Sequence, residues 1–159
     1  MKPLSASAQK VQDVLDTFNL EHRVIELEIP VKTAQQAADA VGCGVAQIAK
    51  SLIFASESGK PVLVIASGIN RVNEARVASI IGESIARASP DFVRSSTGFA
   101  IGGIPPVGHA VQPVIVIDQD LLLHPSIWAA AGHPNSLFEL NPHDLEQMTG
   151  GTVASIRED

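Results

Sequence analysis

The segment from Thr97 to His109, TGFAIGGIPPVGH, has the residue types of a binding site built from main chain. It holds four glycines and two adjacent prolines, and it contains no acidic residue and no lysine. Glycine lets a ligand approach the main chain closely, whereas proline fixes the backbone angle φ and removes a donor. The segment is also too apolar for a flexible linker. We therefore predict a rigid, partly buried loop that presents backbone N–H groups to a ligand.

Other kinds of site have little support in the sequence. The five histidines form no H-x-x-x-H or H-E-x-x-H pattern and there is one cysteine, so we predict no metal site. The glycine-rich loop matches neither nucleotide-binding pattern, so we predict no cofactor. Cys43 lies between two glycines without a basic neighbour, which favours a small buried filler over a nucleophile. No G-x-S-x-G elbow occurs, and Asp118 and Asp120 fit solvated turn acids as well as a catalytic pair.

Two further side chains are candidates for binding. Lys50 follows the stretch VAQIA, predicted as helical, and precedes the apolar strand SLIFA. Its ammonium group either reaches the surface or points into a polar pocket, and in isolation the surface role is favoured. His133 lies at the Gly-Pro corner of AAAGHPNS, where a structural role is favoured over a functional one.

Composition limits the class of protein. The chain has 159 residues, of which 45% are hydrophobic and 18% charged, as in a globular domain with a core. Its net charge is −6 and its basic residues are scattered, so any contact with nucleic acid should be local, weak and transient. The sequence shows no basic leader and no 18-residue apolar segment, and it has a single cysteine. These three features predict a soluble, cytoplasmic protein.

The elements that must position these residues are predicted to be short. Thr33 and Gln36 form a capping box that opens a helix ended by Gly42. Two apolar runs around a polar turn predict a hairpin from Ser51 to Ser67. Periodicity and caps predict further helices at 5–20, 74–81, 90–95, 126–131 and 142–148, and strands at 22–29, 113–117 and 137–140.

This order of elements has no regular βαβ period. It favours a single α/β domain over residues 1–159, with a mixed, curved or barrel-like β-sheet surrounded by short helices, rather than a doubly wound sheet.

Four segments in this order closely resemble the YbaK/ProX family of aminoacyl-tRNA editing domains, which occur free-standing and inserted in prolyl-tRNA synthetases. They are TAQQAADAVGCGVAQIAKSLIF, the hairpin through SGINRVN, TGFAIGGIPPVGH and WAAAGHPNSLFELNPHDL. The resemblance covers about residues 7–155. Its most specific marks are the lysine after Q-I-A and the G-x-x-x-P loop, here Gly102-Gly103-Ile104-Pro105-Pro106.

The resemblance implies the YbaK/ProRS-associated domain fold and hydrolysis of the ester that joins a wrong amino acid to the 3′ end of a tRNA. Such editing is needed because synthetase pockets separate similar small side chains poorly. It also implies that a ribose hydroxyl, a cysteinyl thiol or a bound water acts as nucleophile or proton acceptor, while the protein supplies orientation and oxyanion donors. The implied catalytic residues are Lys50, which would hold the terminal phosphate or ribose, and Gly102, Gly103 and Pro106, with the glycines leaving space for the acyl group.

The family removes Cys, Ala, Ser or Thr from various tRNAs, and pocket volume decides which. Several relatives have Ser or Thr before the loop proline, whereas Pro105 takes that place here, which argues against a hydroxyl-assisted step. The predicted substrate-binding residues are Ile53, Ile65, Ser67, Phe99, Ile104, Pro105 and His133, with Phe54 and Ile69 as further apolar candidates.

The implied partners are the acceptor end of an aminoacyl-tRNA and, for selectivity, a synthetase or elongation factor. Two alternatives stay open. One is a non-catalytic binding module of the same fold that recognises an amino acid, a nucleotide or a synthetase. The other is a hydrolase of a different small acyl ester.

Overall fold

Eight strands form one mixed sheet in the computed structural model, which describes residues 3–159. The strands are β1 Val24–Glu26, β2 Ile48–Ser56, β3 Pro61–Ser67, β4 Ile85–Arg87, β5 Val114–Asp118, β6 Ile127–Ala130, β7 Ser136–Leu140 and β8 Thr152–Ala154. The helices are α1 Ala6–Asp16, α2 Ala34–Val41, α3 Glu74–Ile81, α4 Pro90–Thr97 and α5 Pro142–Thr149, with 3-10 turns at Val45–Gln47 and Gln119–Leu123.

The strand order is β1-β7-β6-β2-β3-β5-β8, and β4 pairs with β2 beside this path. The predicted β2–β3 hairpin is antiparallel, whereas β2 runs parallel to β6 and β3 parallel to β5. The mixed α/β fold predicted from the sequence is therefore confirmed. Within residues 3–159, no helix is long and apolar enough to cross a membrane.

The edge of β2 that faces away from β3 is only partly paired. At its start, Ile48 and Ala49 pair with β6, and at its end Phe54, Ala55 and Ser56 pair with β4. Between these two partners lie residues 50–53, which pair with no strand on that side in the described chain. The sheet thus contains a gap whose wall is the middle of β2.

Strand β3 lies at the centre of the core, and all seven of its residues are buried. One of its faces, with Leu63 and Ile65, packs into the larger apolar cluster. The other, with Val62 and Val64, packs into a second cluster. A strand that is buried on both faces is apolar at consecutive positions, and the sequence PVLVIA of β3 has this pattern. This strand holds β2 in place behind the gap.

The prediction of a helix at 126–131 is wrong, because residues 127–130 form β6. Ile127 and Ala129 are buried while Trp128 and Ala130 are half-buried, which is the two-residue period of a strand. Pairing with β7 on one side and with β2 on the other stabilises the extended form. The alanine-rich composition favours a helix locally, but such a short segment follows its tertiary partners.

The expected position of Lys50 at the end of a helical stretch is also wrong. The 3-10 turn ends at Gln47 and β2 begins at Ile48, so Lys50 is the third residue of a strand. Because side chains alternate along a strand, Lys50 and Ser51 point to opposite faces of the sheet.

Other boundaries differ in extent. The first helix ends at Asp16, before the predicted 20, and β1 has three residues within the predicted 22–29. The Thr33 hydroxyl accepts from the Gln36 N–H at 3.1 Å, as a capping box requires. The side-chain Oε1 of Gln36, however, accepts from the Lys32 N–H, one residue before the cap.

Replacing Ile65 tests the role of β3 as core rather than as a ligand contact. Ile65 is 0% exposed, so we expect Ile65→Ala to lower the free energy of unfolding by about 2–5 kcal/mol and Ile65→Val by about 0.5–1.5 kcal/mol. Ile29→Ala, at a side chain 73% exposed, should change it by less than about 0.5 kcal/mol. Urea unfolding measures all three, and equal losses at Ile65 and Ile29 would contradict the placement.

Candidate functional site

The gap beside β2 opens into a cleft of about 1150 Å³. Its walls are the middle of β2, the segment after β3 that starts at Gly68, and the glycine-rich loop at Gly102–Ile104. The cleft therefore brings Lys50 together with the loop that the sequence singles out.

The predicted site residues divide into those that line the cleft and those that support it. Lys50, Ile53, Gly102, Gly103 and Ile104 line it, as do Phe54 and Ile69. The other predicted contacts are absent from the cleft lining of residues 3–159: Ile65, Ser67, Phe99, Pro105, Pro106 and His133. Ile65 and Phe99 lie in the core, where their side chains pack against apolar neighbours.

The two adjacent glycines of the loop are required for different reasons. Gly102 has φ = +104°, a backbone conformation that other residues rarely adopt. A Cβ on Gly103 would lie 2.7 Å from the backbone nitrogen of His133. The expectation that both glycines leave space for an acyl group is therefore corrected at Gly103, where the main chain of His133 occupies that space.

The cleft-lining loop carries main-chain donors that have no partner in residues 3–159. The N–H groups of Gly102 and Ile104 form no hydrogen bond with any group of residues 3–159. The Gly103 carbonyl, by contrast, accepts from the Gly132 N–H at 2.8 Å. One side of the loop is thus fixed to the corner at Gly132 and His133 while the other keeps free donors. His133 contributes through its backbone, and its Nδ1 accepts from the Asn135 N–H at 3.4 Å.

His109 fixes the loop from behind. Its Nε2 lies 2.6 Å from the Pro105 carbonyl oxygen. Because a carbonyl only accepts, Nε2 carries the proton and donates. Its Nδ1 is buried without a hydrogen-bond partner in the described chain. Pro106 and His109 also line a second cavity of about 220 Å³ on this far side.

Burial lowers the pKa of His109, the Pro105 carbonyl opposes this effect, and Lys10 lowers the pKa further. The neutral imidazole is therefore the form that the folded protein favours. No pattern in the sequence singles out this role, although His109 follows Pro105 by four residues, a spacing compatible with a bond back to the loop.

Lys50 is half-buried at the cleft wall. Burial lowers the pKa of its ammonium group, Asp118 raises it, and Arg71 lowers it. Asp118 is 1% exposed and accepts from the Ser67 N–H at 3.0 Å and from Asn70 Nδ2 at 2.8 Å. Ser67 thus supports the counter-charge of Lys50, and its hydroxyl donates to the Ala46 carbonyl at 2.8 Å.

Because Asp118 is buried, its interpretation as a solvated turn acid is corrected. Asp120 is partly buried, with its carboxylate 2.8 Å from Asn70 Nδ2 and 3.3 Å from Arg157. Both acids therefore belong to a polar network behind the cleft rather than to a catalytic pair.

The cleft has a charge balance opposite to that of the whole chain. Four basic side chains line it, Lys32, Lys50, Arg71 and Arg87, against the acidic Glu74 and Glu158. An anionic ligand is therefore attracted locally, although the chain carries a net charge of −6.

Comparisons with known proteins identify a family model and related chains. A family model described as an aminoacyl-tRNA editing domain matches residues 28–148. An uncharacterized protein of Bacillus subtilis, YwhH, is 32% identical over 147 residues, which cover 92% of this chain and 94% of that protein. The proline–tRNA ligase of Limosilactobacillus fermentum is 35% identical over 94 residues, 56% of this chain but 16% of that enzyme.

A solved structure also superposes closely. It is provisionally described as a trans-editing enzyme for prolyl tRNA synthetase, and it is 43% identical, with a TM-score of 0.94 over 99% of this chain and 100% of that one.

The partly buried His109 gives the protein a pH-dependent stability with a defined sign. An unfolded histidine has a pKa near 6.5, above that of the folded His109. The unfolded state therefore binds the proton first, and the free energy of unfolding should fall as the pH drops below about 6.5. His109→Gln keeps a donor for Pro105 without titrating and should lose less stability between pH 7.5 and pH 5.5 in urea unfolding.

His143→Gln, at an exposed histidine of α5, is the matched control and should keep the wild-type pH dependence. An equal fall in wild type and His109→Gln would contradict the assignment.

Proposed function

The chain belongs to the aminoacyl-tRNA editing domain family, and on that premise we propose that it acts in trans as a deacylase that hydrolyses the ester of a mischarged tRNA. The observation that carries this proposal is the shared cleft, whose lining includes both Lys50 and the Gly102–Ile104 loop. A compact cation and a set of N–H groups are the parts that an ester at the end of a polyanion requires.

In the proposed complex, Lys50 holds the terminal phosphate or ribose of the acceptor end. Asp118 favours the charged form of the lysine against the effect of burial. Arg71 and Arg87 extend the attraction for phosphate along the cleft. Since the rest of the chain is acidic, capture of the tRNA is weak and transient. A synthetase or elongation factor is the proposed source of additional affinity.

The chemical step needs a nucleophile that the substrate or a bound water supplies. Attack on the ester carbonyl places negative charge on its oxygen, and the N–H groups of Gly102, Gly103 and Ile104 are the proposed donors to that oxyanion. With a bound water as the nucleophile, collapse of the intermediate breaks the bond to the ribose oxygen, which takes the proton that the water gives up, and releases the free amino acid and the tRNA. In this scheme Pro106 shapes the loop from its buried position and touches no reacting atom.

The proposed substrates carry a small amino acid such as Cys, Ala, Ser or Thr. Ile53 and Ile104 are 8% and 7% exposed and present an apolar wall to the cleft. The ring of Pro105 is buried and carries no polar atom, so it offers no hydroxyl to the acyl side chain. Because relatives are described in connection with prolyl tRNA synthetase, tRNA for proline is the first carrier to test.

Deacylation of a panel of mischarged tRNAs tests the proposal. We expect at least one small aminoacyl ester to be cleaved, with kcat/KM reduced about 10- to 100-fold in Lys50→Ala, since a hydrogen bond to a charged group contributes about 1.5–3 kcal/mol. Lys60→Ala, at an exposed lysine in the β2–β3 turn, should match the wild type.

The proposal fails if no ester is cleaved above background or if both lysine variants behave alike. Saturable binding of charged tRNA without turnover would instead support the binding-module alternative.

A further inference from the structure

Ser51 lies in the middle of the gap in the sheet, with its main-chain groups directed toward the open edge. The Gly68 N–H donates to the Ile48 carbonyl at 2.8 Å, across the β2–β3 pair. In an antiparallel pair alternate residues bond to the partner strand. Ile48, Lys50 and Leu52 therefore face β3, and Ser51 faces the opposite edge.

On that opposite edge Ser51 has no strand partner. The pairing of β6 ends at Ala49, and that of β4 begins at Phe54. No loop of residues 3–159 supplies a hydrogen bond to the Ser51 N–H or carbonyl either. Unpaired main chain of this kind is a ready template for an added ligand, and Ser51 lines the cleft.

The side chain of Ser51 is unpartnered as well. Its Oγ is shut off from solvent and forms no hydrogen bond within the described chain. Unpaired buried polar groups are rare and disfavoured in folded proteins. A serine can move between staggered positions about χ1, so the hydroxyl can leave this closed position when a ligand offers a partner.

We propose that the open edge at Ser51 is the subsite for the free α-ammonium group of the aminoacyl ester. The ammonium donates to the Ser51 carbonyl and, as second acceptor, to its hydroxyl. The inference rests on the proposed function and deepens it. It favours esters with a free α-amino group over N-acylated esters, whose amide nitrogen is uncharged and carries a bulky substituent.

The surrounding charges are compatible with this position. Lys50 points to the face of the sheet opposite to the Ser51 side chain, because neighbouring residues of a strand alternate. Ile53 shares the face of Ser51 and belongs to the same apolar cluster as Ile104. The ammonium group is thereby kept apart from the lysine and beside the proposed acyl wall. Glu74 and Glu158 are the competing acceptors in the cleft.

A pair of substrates on one tRNA tests the inference: the aminoacyl ester that is cleaved best, and the same ester N-acetylated. We expect wild type to prefer the free amine at least tenfold in kcat/KM, and Ser51→Ala to reduce that preference by about tenfold, mainly by slowing cleavage of the free-amine ester. Ser51→Ala should not lower the melting temperature, because the removed hydroxyl has no partner. Ser79→Ala, at an exposed serine of α3, should leave both rates unchanged.

The outcomes separate the two proposals. Equal cleavage of both esters by wild type overturns the ammonium subsite and leaves the deacylase proposal intact. Loss of the preference in Glu74→Gln or Glu158→Gln, with Ser51→Ala unchanged, overturns it in favour of a carboxylate acceptor. Cleavage of neither ester overturns the proposed function and the subsite with it.

Discussion

Strand β2 is paired along its length with β3 and only at its two ends with β6 and β4. An unpaired edge inside a sheet exposes polar main chain, which proteins usually cover or pair. Here the edge forms the wall of the cleft, and the position of the cleft follows from strand pairing rather than from a long loop. Strand β3, buried throughout, makes this arrangement stable, because it anchors β2 from the side that is fully bonded.

Strand β2 also explains how an acidic chain can carry a basic site. Lys50 is held at the cleft wall by β2, and the buried Asp118 at the end of β5 stabilises its charge from behind. Asp118 is itself satisfied by the Ser67 N–H and Asn70, so its charge is fixed in place. The arrangement of these charged side chains therefore decides the sign of the electrostatic potential in the cleft. The net charge of −6 limits how strongly the rest of the surface can bind a polyanion.

Much of this arrangement could be predicted from local sequence. The caps at Thr33, Ser89 and Asn141 and the β2–β3 hairpin follow from neighbouring residues. Strand β6 could not, because its alanines favour a helix and its extended form depends on partners distant in sequence. The gap at Ser51 depends on those same long-range pairings, so no local pattern marks that serine. The resemblance to a family predicts that Lys50 and the loop lie at one site, whereas their spacing in the sequence alone does not.

The glycine-rich loop owes its rigidity to bonds on both of its sides. His109 holds the Pro105 carbonyl from behind, and the Gly132 N–H holds the Gly103 carbonyl at the front corner. Donors fixed in this way need no reorganisation when charge develops on a substrate, which is the condition for effective electrostatic stabilisation. Ile101, 59% exposed at the cleft mouth, bears no such constraint. Sequence change is therefore tolerated far more readily at Ile101 than at Gly103, where a single methyl group would collide with the main chain of His133.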